Sequence, residues 1–212
     1  MKLSRQNRFP AALTGFMIIL IACNLHLFLG TSPSPLIFSE NLVADGEWWR
    51  IITHLFVHVS WYHLLLDSIA TAFLWHEIEL DSFPKKLFIA VSAAAGSLLC
   101  AVLFSPLIEQ SGYCGLSGLA HGLMFFLGLL WLEESLTTGR QTGANPVKII
   151  AAILLLLASG GKSIVEVVSG SVIFAQIHMG DLGVPIVHAH LGGVLGSLAA
   201  YLFLRFYKSK SK

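Results

Sequence analysis

The sequence predicts an all-α polytopic membrane protein, a six-transmembrane-helix bundle forming one domain over residues 1–212. Three observations predict it. Hydrophobic residues make up 55% of the chain and charged residues only 12%, with a mean hydropathy of +0.76, whereas a soluble domain carries about a quarter charged residues. Six apolar stretches approach the roughly 20 residues needed to cross hydrocarbon, at about 10–29, 62–80, 86–108, 117–136, 147–165 and 185–207. Backbone groups in lipid must be satisfied within their own segment, so each stretch is expected to be a helix. Third, the basic residues alternate sides. Lys2, Arg5, Arg8, Lys85, Lys86, Arg140, Lys148, Arg205, Lys208, Lys210 and Lys212 are 11 of the 13 Lys and Arg, and all fall on one side of the predicted bundle. Only Arg50 and Lys162 fall on the other. The positive-inside bias then places both termini in the cytoplasm.

The first stretch follows basic residues, a pattern shared with signal peptides, and "LIAC" at 20–23 looks like a lipoprotein cleavage site. Its apolar run continues past Cys23 to Leu29, so residues 1–30 are expected to be a retained first span. Residues 31–61 open on Pro and Ser and then turn aromatic, which predicts a segment lying in the outer interface with Trp48, Trp49, Trp61 and Tyr62 at headgroup level. The second span carries His63, Asp67 and Thr71 at i, i+4 and i+8, a single polar stripe on an apolar helix. The fourth opens on "GLSG" and the sixth on "VHAHLGG", while the fifth ends raggedly in "SGGKSIVEVVSGS". Cys23, Cys100 and Cys114 have no metal-binding or disulfide spacing.

Polar groups inside spans are costly and are functional candidates by default. Ser117 stands between Gly115 and Gly118 at the head of the fourth span. A serine there is either a helix N-cap or a nucleophile beside the unpaired N–H groups of a helix end. His190 opens the sixth span five residues after Pro185, on the same side of the membrane. Gly118 and Gly122 on one helix, and Gly192, Gly196 and Ala200 on the other, recur at four-residue spacing and would let the two backbones approach closely enough for a serine–histidine contact, with Gly115 and Gly193 as further helix-packing glycines. His121, one turn after Ser117, is a rival base. "HEIEL" at 76–80 lacks the second histidine of a zinc-protease helix, and "GGKS" at 160–163 lacks the first glycine of a phosphate loop. No metal, cofactor or nucleic-acid partner is expected.

Taken in order, "WWRIITHLFVHVSWYHLLLD" (48–67), "GLSGLAHG" (115–122) and "AHLGGVLG" (189–196) resemble the rhomboid family of intramembrane serine proteases, and within it the rhombosortase branch. The resemblance implies Ser117 as nucleophile, His190 as its base, and His63 as a holder of the oxyanion. The family's usual asparagine is replaced here by Asp67. An ionised carboxylate accepts hydrogen bonds and does not donate them, so Asp67 either serves the oxyanion in its protonated form or orients His63. His58 matches a recurrent first-loop histidine read as structural, and His121 matches the "SGxxHG" form of the branch. No carboxylate is evident for His190, so a dyad is expected. The resemblance further implies a bacterial inner-membrane enzyme, open to the periplasm. Its substrates would carry a C-terminal anchor composed of a glycine-rich motif, one span and a basic tail. Residues 166–184 and the fifth span are the expected gate. A non-catalytic client-binding rhomboid relative and a small proton-coupled carrier are the rival classes.

Overall fold

The computed structural model describes residues 5–142, 145–173 and 179–210, with side chains over 14–137, 145–173 and 179–207. It is all helical apart from one isolated β-bridge between Phe38 and Tyr113. Among the described residues, four helices are long and apolar enough to cross a membrane: Phe83–Phe104, Ser117–Thr137, Pro146–Ser169 and Val187–Tyr207. Of the two other expected spans, the first holds the shorter apolar helix Thr14–Cys23 and the second a 17-residue helix, Trp61–Glu77.

The first of these is broken. Helices α1 (Arg5–Cys23) and α2 (Leu25–Leu29) meet at Asn24. The fully buried Asn24 amide donates to the Leu20 and Phe56 carbonyls at 2.8 and 2.7 Å and accepts the His58 N–H at 2.8 Å. A side chain that supplies both donors and an acceptor satisfies the loop that packs on it, at the cost of helix continuity.

The interfacial segment holds two short helices, α3 (Glu40–Ala44) and α4 (Arg50–Thr53). Trp48, Trp49 and Trp61 are exposed, as an interfacial belt requires. Arg50 is not at the surface. It is buried, paired with Glu47 at 2.6 Å, and donates to the Ser34 and Ile37 carbonyls. One guanidinium thereby closes the 34–50 loop on itself.

Helix α5 (Trp61–Glu77) has 17 residues and starts at Ser60, whose hydroxyl accepts the His63 N–H. Its buried face is His63, Asp67 and Thr71, the stripe expected from the spacing, together with Leu74. Helix α6 (Phe83–Phe104) buries Ile89, Ala93, Ser97 and Ala101 at intervals of four. The short α7 (Leu107–Ser111) leads to α8 (Ser117–Thr142). The fifth span is composite: α9 (Pro146–Leu156), a π-helical turn at Leu157–Gly161, and α10 (Lys162–Ser169). Helix α11 (Val187–Lys210) begins two residues after Pro185 and lies between α6 and α8.

Glycines set how closely these three helices pack. A Cβ on Gly193 would run into the Gly118 carbonyl, and one on Gly122 would lie 2.5 Å from the Gly193 carbonyl. The expected pairing of Gly192 and Gly196 with α8 is corrected. They face α6 instead, against Gly96 and Ser92. Successive helix positions turn by about 100°, so Gly192 and Gly193 serve different neighbours. Leu116, Leu123, Phe126, Leu127 and Ile89 fill the core below, while Ile18, Phe73, Leu99, Leu154 and Phe203 point outward, the apolar exterior that lipid demands.

Candidate active site

The segment leading into α8 is pinned from three directions. Tyr113 exchanges backbone hydrogen bonds with Phe38, and its hydroxyl lies 2.7 Å from Ser97 Oγ. The Gly115 N–H donates to the His54 carbonyl at 2.8 Å. The Leu116 N–H donates to Asp67 Oδ2 at 2.8 Å. Gly115 has φ +102°, and a Cβ there would lie 2.6 Å from His63 Nε2, so only glycine fits this turn. Gly115 thereby lets the turn approach α5 closely.

The Leu116 carbonyl accepts the first helical bond, from Ala120 at 2.8 Å. Leu116 is therefore the cap position and Ser117 the first residue inside the helix. The capping reading of Ser117 does not hold: Asp67 reaches in from α5 to satisfy the cap residue's own N–H. Ser117 is half-buried and borders a cavity of about 340 Å³.

His63, Asp67, His121, Lys162 and His190 line the same cavity. His190 lies in the first turn of α11 and is 8% exposed. Its Nδ1 is 2.8 Å from Oε2 of Glu166, a side chain with no solvent exposure on α10. The other carboxylate oxygen accepts from Lys162 Nζ at 2.6 Å and from the Ile173 N–H at 3.0 Å. His121 lies flat on His190, with ring centroids 4.0 Å apart and planes 12° apart. His121 Nδ1 donates to the Ser117 carbonyl at 2.8 Å, and its Nε2 is 3.4 Å from Lys162 Nζ. The expected rival base is thus tied to the Ser117 backbone rather than to its hydroxyl.

On the opposite wall, Asp67 Oδ2 lies 3.2 Å from His63 Nε2 and 3.5 Å from His58 Nε2, besides the Leu116 N–H. Its contacts are those of an acceptor. His58 is wholly buried and joins this cluster to the α1–α2 break through the Asn24–His58 and His26–His58 backbone bonds. His58, His63 and Asp67, and separately His121, Glu166 and His190, bring potential metal-ligand atoms within 4.8 Å of one another. In each set those atoms already contact one another or neighbouring groups.

Outside the spans, burial shifts the loop groups around this wall. It lowers His54 to about 4 and also lowers His58, the latter against the pull of Asp67. It raises the Tyr113 hydroxyl, and pushes the Cys114 thiol up to about 12 with help from the Asp67 charge. Burial and the Asp67 charge thus both disfavour the Cys114 thiolate, the reactive form of a cysteine. A wider recess of about 650 Å³ among Glu77, Glu79, Glu133, Glu134 and Lys148 is lined by neither Ser117 nor His190.

A sequence model of the Rhomboid domain matches residues 45–206, most of the chain and every residue of this cavity. The chain belongs to the rhomboid family. It is 26% identical over 162 residues to the rhomboid protease GluP of Bacillus subtilis (strain 168), covering 76% of this chain and 27% of GluP. It is 28% identical over 116 residues to the rhomboid relative YdcA of the same organism, covering 54% of this chain and 57% of YdcA. The chain thus aligns with about a quarter of GluP and somewhat over half of YdcA.

Within this rhomboid domain, Ser117, His190, His63, Asp67 and His121 meet at one cavity, and His58 adjoins it through Asp67. Gly118, Gly122 and Gly193 set the spacing of the serine and histidine helices. The expectation that His190 lacks a carboxylate is corrected by Glu166. The signal was present in "KSIVE", a charge pair at i and i+4 in an apolar segment. Part of the expected gate, residues 174–178, lies outside the described residues. Val172, Ile173, Leu182, Val184, Pro185 and Ile186 border the cavity, and Ser60 Oγ holds the Asp181 carbonyl at 2.5 Å.

Proposed function

We propose that the protein is a serine-type intramembrane endopeptidase using Ser117 and His190. The observation that carries this reading is the meeting of Ser117 and His190 at one cavity, with His190 held through Nδ1 so that Nε2 is left as the proton acceptor. In the first step the Ser117 hydroxyl oxygen bonds to the scissile carbonyl carbon while its proton passes to His190 Nε2. The tetrahedral intermediate collapses, and the departing amine takes that proton. Water then attacks the acyl-enzyme with His190 again as base. At the head of α8, the N–H groups of Ser117 and Gly118 come before Ala120, the first to donate within the helix, so they are free to hold the oxyanion. His63 Nε2 faces Asp67, so its part is to shape this wall together with the carboxylate rather than to donate to the oxyanion.

The finer reading rests on sequence resemblance. The "SGLAHG" segment favours the rhombosortase branch and substrates anchored at their C-terminus by a glycine-rich motif, one span and a basic tail. The basic-residue bias favours cytoplasmic termini and a cavity open to the outer face of the bacterial inner membrane. The test is cleavage of such an anchored reporter in vesicles by the parent, Ser117→Ala and His190→Ala proteins. A second reporter, with its glycine-rich segment replaced, tests the branch. The protease reading expects cleavage by the parent alone. The branch reading expects the second reporter to survive.

A further inference from the structure

Among the described residues, the carboxylate with the least solvent exposure is one that the proposed two-residue chemistry does not use. Glu166 has no exposed surface, lies within the apolar Pro146–Ser169 helix, and is met by three donors: His190 Nδ1 on one oxygen, Lys162 Nζ and the Ile173 N–H on the other. Burying a carboxylate costs several kcal/mol unless it is paired and hydrogen-bonded. Packing alone does not call for one here, since any apolar side chain would fill the space more cheaply.

The local backbone is also unusual in a way that serves this placement. The π-helical turn at Leu157–Gly161 immediately precedes Lys162. It adds a residue to one turn and so rotates everything after it relative to α9. Phe125 of α8 packs on the turn, and a Cβ at Gly160 would lie 2.9 Å from its ring. Within the turn and after it, Ser159 and Ser163 hydroxyls bond back to the Leu155 and Ser159 carbonyls at 2.6 Å. Lys162 and Glu166, one turn apart, then face α8 and α11 together.

We infer that Glu166 is the positioning residue for His190, making a Ser117–His190–Glu166 relay, and that Lys162 sets how strongly the carboxylate acts on the imidazole. This rests on the Ser117–His190 reading above. By accepting the Nδ1–H, Glu166 holds the tautomer whose Nε2 lone pair is available to the serine, and it fixes the ring plane. When the serine proton moves to Nε2 and the oxygen–carbon bond forms, the imidazolium develops beside a carboxylate that stays ionised and takes no proton itself. Lys162 competes for the same carboxylate and also lies beside His121 Nε2, so its charge opposes imidazolium formation. The titratable and charged groups facing His190 are Glu166 and Lys162 from α10 and His121 from α8; His63 and Asp67 of α5 and Cys114 border the same cavity.

The two charges therefore have opposite effects on one observable. In the full-length protein in detergent, the rate of Ser117 labelling by a fluorophosphonate, followed from pH 5 to 9, reports the ionisation of its base. Glu166→Gln is nearly isosteric, but its amide presents a donor to Nδ1. It should slow labelling by about 10²-fold or more and move the midpoint of the pH profile to lower pH. Glu166→Asp should recover part of the rate. Lys162→Met should move the midpoint to higher pH. Thermal unfolding of each variant separates these effects from misfolding. Parent-like rate and midpoint in Glu166→Gln overturn the relay, and so does a uniform loss of rate with an unmoved midpoint. If Ser117→Ala and His190→Ala are inert while Glu166→Gln is fully active, only the relay fails. If Ser117→Ala still cleaves substrate, the underlying protease reading fails.

Discussion

The imidazole of His121 lies parallel to that of His190 at a centroid separation of 4.0 Å. The two rings are held there from opposite ends: His121 through the Ser117 carbonyl one helical turn below, His190 through Glu166. Stacked rings of this kind contribute about 0.5–1.5 kcal/mol beyond burial, and here they fix the plane of the proposed base. His121→Ala should reduce turnover by roughly tenfold, since 1.4 kcal/mol is a factor of ten. His121→Phe, which keeps the flat surface, should recover most of it. Comparing kcat for the three proteins on one anchored substrate checks this. An equal loss in both variants would assign His121 to its hydrogen bonds instead.

Asp67 holds the turn before Ser117 as an acceptor. One of its oxygens faces the Leu116 N–H and two histidines. Removing one partner of a buried charged network costs about 3–5 kcal/mol, so Asp67→Ala should lower the unfolding midpoint sharply. Asp67→Asn keeps an acceptor but loses the charge, and should fall between Ala and the parent in both stability and activity. Unimpaired activity in Asp67→Asn would return the residue to the oxyanion.

His54 links acidity to the same turn, because its carbonyl receives the Gly115 N–H. In the folded protein burial lowers this histidine to about 4, whereas an unfolded histidine titrates near 6.5. As pH falls below about 6.5 the unfolded chain takes up a proton that the folded one refuses, so stability declines until about pH 4. Above 6.5 both states are neutral and His54 contributes no slope. At about 1.4 kcal/mol per unit, the decline amounts to about 3 kcal/mol. The lowered His58 acts in the same direction. Unfolding midpoints in detergent between pH 4 and 8 should show a shallower acid slope in His54→Phe than in the parent.

Gly193 sets the approach of α11 to α8. A methyl group there has only the Gly118 backbone to displace, so Gly193→Ala should destabilise by about 1–3 kcal/mol and slow turnover by moving His190 from Ser117. Gly15→Ala, on α1 with open space around it, should be neutral or slightly stabilising. The pair can be compared in one thermal unfolding series.

What the sequence made legible was what depends on periodicity and on helix ends. The i, i+4, i+8 stripe of His63, Asp67 and Thr71 is the buried face of α5, and the serine and histidine heads of α8 and α11 share a cavity. Spacing could not say which neighbour each glycine meets, because Gly192 and Gly193 differ by one step of helical rotation and face different helices. Nor did spacing reveal the Glu166–His190 contact. Its register depends on a π-helical turn, and a one-residue insertion in the backbone has no apolar period of its own. The buried roles of Asn24 and Arg50 are illegible in the spacing for a related reason: each is fixed by loop carbonyls distant in sequence.

The central claim is that Ser117 is the nucleophile. The most direct measurement is fluorophosphonate labelling of the purified full-length protein at neutral pH, followed by peptide mapping of the modified residue. A single phosphonylated site at Ser117, lost in Ser117→Ala and suppressed in His190→Ala, is the predicted result. Label on another residue, or undiminished labelling of the Ser117→Ala protein, would contradict it.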